Sequence, residues 1–217
     1  MKIKKLVEFF IKVKLSRLAY FLLSLLSIFL GKFSTFRLLQ GNLWLQKQKG
    51  TFFIDYTPNY RLNGAEFDSF SEDIFFYDYE PQQGDVCIDI GAGLGVDTRL
   101  MSRKVGSDGK VFPIEATKRT FKALEVCVKY NQLQNVVASY CAISNANGPV
   151  KISQDIGHHT ENKIIFDDNK NFTIVDGFTI DRYIEEHNIN TIDYMKINIE
   201  GAEKYVIEAF KKIKIVK

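Results

Sequence analysis

From residue 83 onwards, the chain alternates between short apolar runs and longer segments whose apolar residues recur at helical spacing. Such an alternation is typical of strands joined by crossover helices. The apolar runs predict strands at residues 86–90, 110–114, 136–141 and 192–198. The intervening segments predict helices at residues 96–104, 117–131, 179–187 and 202–211. The pattern therefore predicts a doubly wound α/β fold with a mostly parallel sheet, in which ligands bind at the carboxyl ends of the strands.

The pattern before residue 45 differs and predicts a helical arm. Ile3, Leu6, Val7 and Phe10 recur at helical spacing among lysines, which indicates a basic amphipathic helix. Residues 18–30 follow without a charge, and these thirteen residues fall short of the roughly 20 that a helix needs to span a bilayer. Three interpretations stay open: a helix packed on the main domain, a helix in the surface of an anionic membrane, and a transmembrane anchor.

These patterns predict three parts of the chain. Residues 1–45 form the basic and apolar helical arm. Residues 46–83 form a strand or hairpin that leads into the main domain, with turns at Pro58 and at Asn63-Gly64. Residues 84–217 form the α/β domain itself.

Composition and charge narrow the classes of function. The chain has 217 residues, of which 46% are hydrophobic and 25% charged, so a globular protein is expected. Its net charge of +3 is unevenly spread, because residues 1–50 contain ten Lys/Arg and one acid, whereas the remainder contains 19 Lys/Arg and 25 acids. A mildly acidic main domain argues against nucleic acid as a partner. The three cysteines suit neither a disulfide framework nor a zinc knuckle and indicate a reducing, cytoplasmic setting.

The glycine-rich run Asp89-Ile-Gly-Ala-Gly-Leu-Gly95 stands where the first predicted strand meets its helix. Glycines there permit a tight turn and a close approach of a ligand to the backbone. A dinucleotide fingerprint requires Gly or Ala where this chain has Val96. Glu115, twenty residues after Gly95, ends the second strand, where a carboxylate can accept hydrogen bonds from both ribose hydroxyls of an adenosine. Asp89 can orient the loop or meet the amino end of a methionine moiety. The combination favours S-adenosylmethionine over NAD or ATP.

Residues 72–212 resemble the FkbM family of S-adenosylmethionine-dependent methyltransferases. The resemblance rests on ordered blocks at residues 84–95, 109–136, 141–150, 178–184 and 192–210. The last block is the most specific, since the family pattern Lys-Ile-Asp-Val-Glu-Gly-x-Glu is met by Lys196, Ile197, Ile199, Glu200, Gly201 and Glu203. The chain departs from the family at three positions, where Asn198 replaces Asp, Ala116 replaces Pro and Gly93 replaces Asn.

The resemblance implies a Rossmann-like class I methyltransferase sheet. Together with the loop, it implies cofactor-binding roles for Asp89, Gly91, Ala92, Gly93, Gly95, Glu115, Ala116, Ala142 and Asn198. Such a sheet has seven strands, but residues 213–216 would only begin the fifth. This count predicts that the last two strands are missing and that the fifth leaves an exposed edge. The chain would then be a truncated copy or fragment, or another chain would supply the edge.

Candidate catalytic residues come from the fourth strand and from a polar loop. Alternation places Lys196, Asn198 and Glu200 on one side of a buried strand, where polar side chains are costly unless they are paired or face a cavity. Glu200 could instead cap the next helix, and Lys196 could pair with it. His158 or His159, in the polar loop 153–171, could act as a general base or simply be solvated. Asp167 and Asp168 indicate a turn, and no metal site is predicted.

The resemblance favours methyl transfer to a hydroxyl of a sugar, a glycan or a glycolipid-type acceptor. Two other classes stay open: a catalytically impaired cofactor-binding or scaffold protein, prompted by Asn198 and by the strand count, and an NAD-dependent oxidoreductase, which the glycine spacing disfavours. The expected partners are a small-molecule or glycan hydroxyl acceptor and no nucleic acid. Peripheral membrane contact through residues 1–30 and an oligomer that covers the strand-five edge are further expectations.

Overall fold

The parallel sheet predicted from residue 84 onwards is present in the computed structural model, which describes residues 5, 9–12, 15–153, 172–199 and 201–208. The chain folds into two compact units, residues 1–73 and 74–217. Within the described residues, the first unit contains one antiparallel sheet and the second contains two sheets.

The first unit packs helix α1 (Ser16–Phe29) on an antiparallel sheet. The strands β1 (Thr35–Leu38), β2 (Trp44–Gln48) and β3 (Thr51–Asp55) follow one another across this sheet. Ala19 and Leu23 of α1 pack with Phe36 of β1 and Trp44 of β2 to form the core of the unit. Of the helices in the described ranges, none is long and apolar enough to cross a membrane.

A polar cluster is also buried inside the first unit, formed by Ser27, Ser34, Gln46 and Gln48. The Ser27 hydroxyl accepts a hydrogen bond from the Ser34 backbone N–H at 3.0 Å. The Ser34 hydroxyl in turn accepts from Nε2 of Gln46 at 2.9 Å and from Nε2 of Gln48 at 3.2 Å. Because buried polar groups are costly when unpaired, these bonds favour one orientation of α1 on the sheet.

The main sheet of the second unit is parallel, as the sequence predicts. Strand β4 (Val86–Ile90) lies between β5 (Lys110–Ile114) and β9 (Tyr194–Ile197). At the other edge of β5, Val136 and Ser139 make isolated parallel pairs with Val111 and Ile114. The strand predicted at residues 136–141 is therefore reduced to two paired positions. The order across the sheet is third, second, first and fourth in the chain, which is the doubly wound order.

Helices cover both faces of this sheet. These helices are α3 (Val96–Val105), α4 (Lys118–Tyr130), α5 (Ile180–Glu186) and α6 (Glu203–Glu208). A further helix, α2 (Gly64–Phe75), comes before the first strand of this sheet in the chain. Because side chains alternate along a strand, Ile88 and Ile90 pack with Ile180 and Tyr183 on one side, while Cys87 packs with residues of α3 on the other. The helices predicted at residues 96–104, 117–131 and 179–187 are confirmed to within two residues at each end.

A second, smaller sheet in this unit was not predicted. Its central strand β8 (Phe172–Phe178) pairs in parallel with β6 (Ala142–Ile143) and antiparallel with β7 (Gly148–Ser153). Residues 154–171, which join β7 to β8, lie outside the described residues. So do residues 209–217, including the strand predicted at 213–216.

Candidate active site

The strand order reverses between β4 and β9, and this point defines the candidate site. The chain leaves β4 toward β5 on one side, whereas β9 returns on the other, so the carboxyl ends of β4 and β9 frame a crevice. The two ends are held together by a hydrogen bond from the Asn198 N–H to the Ile90 carbonyl oxygen at 2.9 Å. Ligands of open α/β sheets bind at such a position.

The glycine-rich loop begins at this crevice and requires glycine at its first position. Gly91 has a φ of +78°, and a Cβ there would lie 2.0 Å from the backbone oxygen of Asn198. The N–H groups of Gly91 and Ala92 donate to the Ile114 carbonyl oxygen at 3.0 and 3.1 Å, which ties the loop to β5. By contrast, a Cβ on Gly93 would meet no atom within 4 Å. The middle of the loop therefore leaves room for a ligand beside its backbone.

Glu115, directly after β5, is bonded to this loop. Its Oε2 accepts from the Gly93 N–H at 3.0 Å, and its Oε1 accepts from the Thr117 N–H at 2.7 Å. The side chain is buried, and burial raises its pKa above the ordinary 4.5, although the two backbone hydrogen bonds oppose this rise. The Thr117 side chain also donates a hydrogen bond to Glu115. A carboxylate has about four acceptor sites, so the group retains capacity for a hydroxyl donor.

A buried ion cluster supports the loop from below. Lys196 of β9 and Asp89 of β4 are register partners, and Nζ of Lys196 lies 2.9 Å from Oδ1 of Asp89. The same Nζ lies 3.2 Å from Oδ2 of Asp97 and donates to the Gly91 carbonyl oxygen at 3.3 Å. Burial would lower the pKa of Lys196, but attraction to Asp89 and Asp97 outweighs it and raises that pKa. The other Asp89 oxygen accepts from the Thr98 hydroxyl at 2.6 Å.

The remaining predicted residues fall into three groups. Ala92 and Ala142 are buried, and Ala116, directly after Glu115, packs against the cluster that contains Ala142. Asn198 is exposed immediately after β9. Glu200 and His158 lie outside the described residues, as does His159. The structure thus brings Asp89, the loop, Glu115, Lys196 and the backbone of Asn198 together, but the side chain of Lys196 is used for the ion cluster.

An aromatic pair beside Glu115 was missed by the sequence analysis. Tyr140 and Ala116 pack against the cluster that contains Ala142, and the Tyr140 ring lies 5.4 Å from that of Phe121 at a tilt of 37°. Burial raises the pKa of Tyr140, and the charge of Glu115 adds to this rise. The sequence could have indicated this pair, because Tyr140 lies at the end of the third predicted strand. Ligands bind at strand ends, and an aromatic ring there offers them a flat apolar surface.

A second polar network involves the histidine that sequence analysis passed over. Nδ1 of His187 lies 2.9 Å from the Tyr183 carbonyl oxygen, and because a carbonyl only accepts, Nδ1 carries the proton. Nε2 lies 3.3 Å from the Ser139 hydroxyl, and the Tyr183 hydroxyl lies 2.8 Å from Ser139. These bonds attach α5 to the edge of the main sheet. Across the described ranges, no group of three His, Cys, Asp or Glu residues could hold a metal ion.

Comparison with protein-family models identifies a family for this chain. Residues 89–217 match the family model described as methyltransferase FkbM domain. No curated protein matches the chain significantly. Among solved structures, the chain is similar to methyltransferase FkbM from Methylobacillus flagellatus KT, with 13% identity and a TM-score of 0.44 over 61% of this chain and 30% of that one.

Two further solved structures have lower TM-scores. One is a SAM-dependent O-methyltransferase from Thermotoga maritima, with 29% identity and a TM-score of 0.29 over 34% of this chain and 27% of that one. The other is Aeropyrum pernix fibrillarin with natively bound S-adenosyl-L-methionine, with 15% identity and a TM-score of 0.29 over 49% of this chain and 56% of that one. The chain thus spans at most 56% of the length of these three structures.

The family match includes the glycine-rich loop, Glu115 and the whole Lys196–Glu203 block. The strand order and the glycine-rich loop after β4 confirm the predicted doubly wound, Rossmann-like α/β fold class. The two strands predicted to be missing stay a prediction, because residues 209–217 lie outside the described residues. Because the family model covers more than half of the residues, the chain belongs to the FkbM methyltransferase domain family, whose cofactor is S-adenosylmethionine.

Proposed function

We propose that the protein transfers a methyl group from S-adenosylmethionine to a hydroxyl oxygen of its acceptor. One observation carries the proposal: the Glu115 carboxylate after β5 is bonded to the Gly93 N–H, in the loop that begins where the strand order of a doubly wound sheet reverses. This pairing couples an acceptor for ribose hydroxyls to a loop with open space beside its backbone. Membership of the FkbM family supplies the reaction class.

The chain offers a fitting set of groups for this cofactor. Glu115 would accept hydrogen bonds from the ribose, Ala116, Ala142 and Tyr140 would offer an apolar surface to the adenine, and the Gly91–Gly95 loop would hold the rest of the cofactor through its backbone. Asp89 acts through the loop, because both of its oxygens are bonded to Lys196 and Thr98. Lys196 is accordingly a positioning residue in this proposal. When bound, S-adenosylmethionine supplies an electrophilic methyl group.

The protein's contribution to transfer is alignment of the acceptor and removal of its proton. Positioning of the reacting oxygen can account for much of the rate. Asn198, exposed at the end of β9, has an amide that can orient a hydroxyl but cannot take its proton. The sequence-based candidates for the proton acceptor, Glu200 and His158, stay predictions because they lie outside the described residues.

The proposed acceptor is a sugar, a glycan or a glycolipid-type molecule, which the family resemblance supports. A second candidate is a cofactor-binding protein without transfer activity, which Asn198 favours because it replaces an ionisable Asp at the strand end. An oligomer that covers the edge of the predicted fifth strand, and a cytoplasmic location with membrane association through the N-terminal arm, remain predictions from the sequence. An NAD-dependent oxidoreductase is disfavoured by Val96 in the fingerprint position.

Isothermal titration of the full chain with S-adenosylhomocysteine and with NAD tests the cofactor. We expect binding of S-adenosylhomocysteine only, weakened in Glu115→Ala by about 1 to 3 kcal/mol, or about five- to 150-fold, because charge-assisted hydrogen bonding to the ribose is lost. Glu125→Ala is the matched control, since Glu125 is an exposed carboxylate on α4. A folded protein that fails to bind S-adenosylhomocysteine would overturn the proposal.

Labelled methyl transfer into separated sugar, glycolipid, protein and nucleic-acid fractions tests the acceptor. We expect label in the sugar or glycolipid fraction and more of it with Asn198→Asp, which restores the family residue. Binding of S-adenosylhomocysteine without transfer by either protein would favour the second candidate. Label confined to protein or nucleic acid would show that the proposed acceptor class is wrong.

A further inference from the structure

Helix α1 exposes an apolar face to solvent. Five side chains on this face are between 41% and 87% exposed, namely Leu18, Phe21, Leu25, Ile28 and Phe29. Their positions recur every three or four residues, so they form a single stripe along the helix. A contiguous apolar surface of this kind on a folded protein marks an interaction site.

The buried side of α1 explains why the apolar stripe is exposed to solvent. Ala19, Leu23 and Ser27 are the buried residues of the helix, and the Ser27 hydroxyl is bonded to the Ser34 N–H inside the unit. The helix is thus apolar on both sides, while Ser27 points inward. Turning the apolar stripe into the core would leave the buried Ser34 N–H without its partner. An all-round apolar helix occurs in a protein core or against a membrane.

The charges around α1 identify the occupant. The sequence from Phe9 to Phe53 contains no acid, whereas Lys12, Arg17 and Arg37 are exposed. We propose that the exposed stripe of α1 lies in the surface of an anionic lipid membrane, with these basic residues at the level of the headgroups. A second copy docking through the same stripe would bring like charges together, which disfavours self-association.

The length of α1 sets its orientation. Its 14 residues extend about 21 Å, which is less than the hydrocarbon thickness of about 30 Å. Because the opposite side of the helix is packed on β1 and β2, only one side can enter lipid. The helix therefore lies parallel to the membrane plane. This inference does not depend on the proposed methyl transfer.

Co-sedimentation of the full chain with lipid vesicles tests the inference. We expect binding to mixed phosphatidylcholine–phosphatidylglycerol vesicles and much weaker binding to pure phosphatidylcholine. The double variant Phe21→Ser/Leu25→Ser should bind the mixed vesicles at least about tenfold more weakly, since it removes two buried apolar groups. Arg17→Gln and Arg37→Gln should each weaken binding about fivefold. Phe70→Ser, at an equally exposed phenylalanine of α2, is the matched control and should bind like the wild type.

A second measurement follows the fluorescence of a probe attached to the stripe. A fluorophore on Phe21→Cys should shift to the blue on mixed vesicles, whereas one on Phe70→Cys should not; the three native cysteines are buried. Circular dichroism and S-adenosylhomocysteine binding check that each variant is folded. The inference is overturned if mixed vesicles do not bind, if Phe21→Ser/Leu25→Ser binds them unchanged, or if the stripe instead mediates a dimer that excludes vesicles.

Discussion

Lys196 and Asp89 face each other across the β4–β9 pair with their charged atoms 2.9 Å apart, and both side chains are buried. The same lysine contacts Asp97 at the start of α3 and the carbonyl of Gly91 in the glycine-rich loop. One cation therefore joins two strands, a helix and the loop that we propose holds the cofactor. Removal of the Lys196 charge would leave the carboxylates of Asp89 and Asp97 close together without a cation.

We expect Lys196→Met to lower the free energy of unfolding by about 3 to 5 kcal/mol, because it breaks a buried ion pair and leaves carboxylates uncompensated. Urea unfolding measures the change. Lys110→Met is the control, since Lys110 is exposed at the start of β5 and should shift stability by less than about 0.5 kcal/mol. Equal stability of the two variants would show that the ion cluster contributes little.

Alanine at Gly91 and at Gly93 should have different effects on stability. At Gly91 the added Cβ meets the Asn198 carbonyl, so we expect Gly91→Ala to cost about 2 to 5 kcal/mol and to abolish binding of S-adenosylhomocysteine. At Gly93 the Cβ meets nothing, and the φ of +58° alone costs about 1 to 2 kcal/mol. Thermal unfolding of both variants checks the difference. If Gly93→Ala were the less stable of the two, the loop geometry would be wrong.

Glu115 should make both stability and cofactor binding depend on pH. Burial raises its pKa in the folded protein above 4.5, so in the window above 4.5 the folded state holds more protons than the unfolded state. The free energy of unfolding should therefore fall as pH rises through this window. Hydroxyl donors favour the charged carboxylate, so affinity for S-adenosylhomocysteine should rise with pH there.

Titration calorimetry and urea unfolding at several pH values measure both trends of Glu115. Glu115→Gln, which cannot ionise, should lose the rise in affinity while remaining folded. A rise that persists unchanged in Glu115→Gln would assign the pH dependence to another group.

The three cysteines should be unreactive in the folded protein. Burial raises the pKa of Cys87 and Cys141 to about 12 and that of Cys127 to about 11, so very little thiolate forms near pH 8. We expect a disulfide reagent to modify them only after unfolding by urea. Phe70→Cys supplies an exposed thiol that should react at once. Rapid modification of the wild type without urea would contradict this burial.

The main sheet could be predicted because its strands are continuous apolar runs flanked by amphipathic helices. The bounds of β4 and β5 agree with the sequence prediction for that reason. Strands β7 and β8 were missed because their residues are only partly buried and mix polar with apolar positions. The predicted strand at 136–141 is mostly irregular, and Val137 within it is exposed.

The parts of the site that depend on local sequence spacing could be predicted. The parts that depend on how two strands align in the sheet could not. The glycine-rich loop and Glu115 are visible as a motif with a fixed separation. The ion pair between Lys196 and Asp89 could not be predicted from the sequence, because it depends on how β9 aligns with β4. Alternation correctly placed Lys196 in a buried strand, but the long side chain reaches beneath the loop. Likewise, nothing in the sequence indicates that the side chains of Gln46 and Gln48 donate hydrogen bonds to the Ser34 hydroxyl.

The pairing of β4 with β9 also has a consequence for folding order. Ile90 and Ile197 are neighbours in the sheet although more than a hundred residues separate them in the chain. Closing so long a segment costs entropy before the contacts form, and parallel pairs of this kind assemble slowly. During synthesis, β4, β5 and Glu115 emerge well before their last neighbour. We therefore expect nascent chains that end before β9 to bind no S-adenosylhomocysteine, and binding competence to arise in one late step when β9 docks.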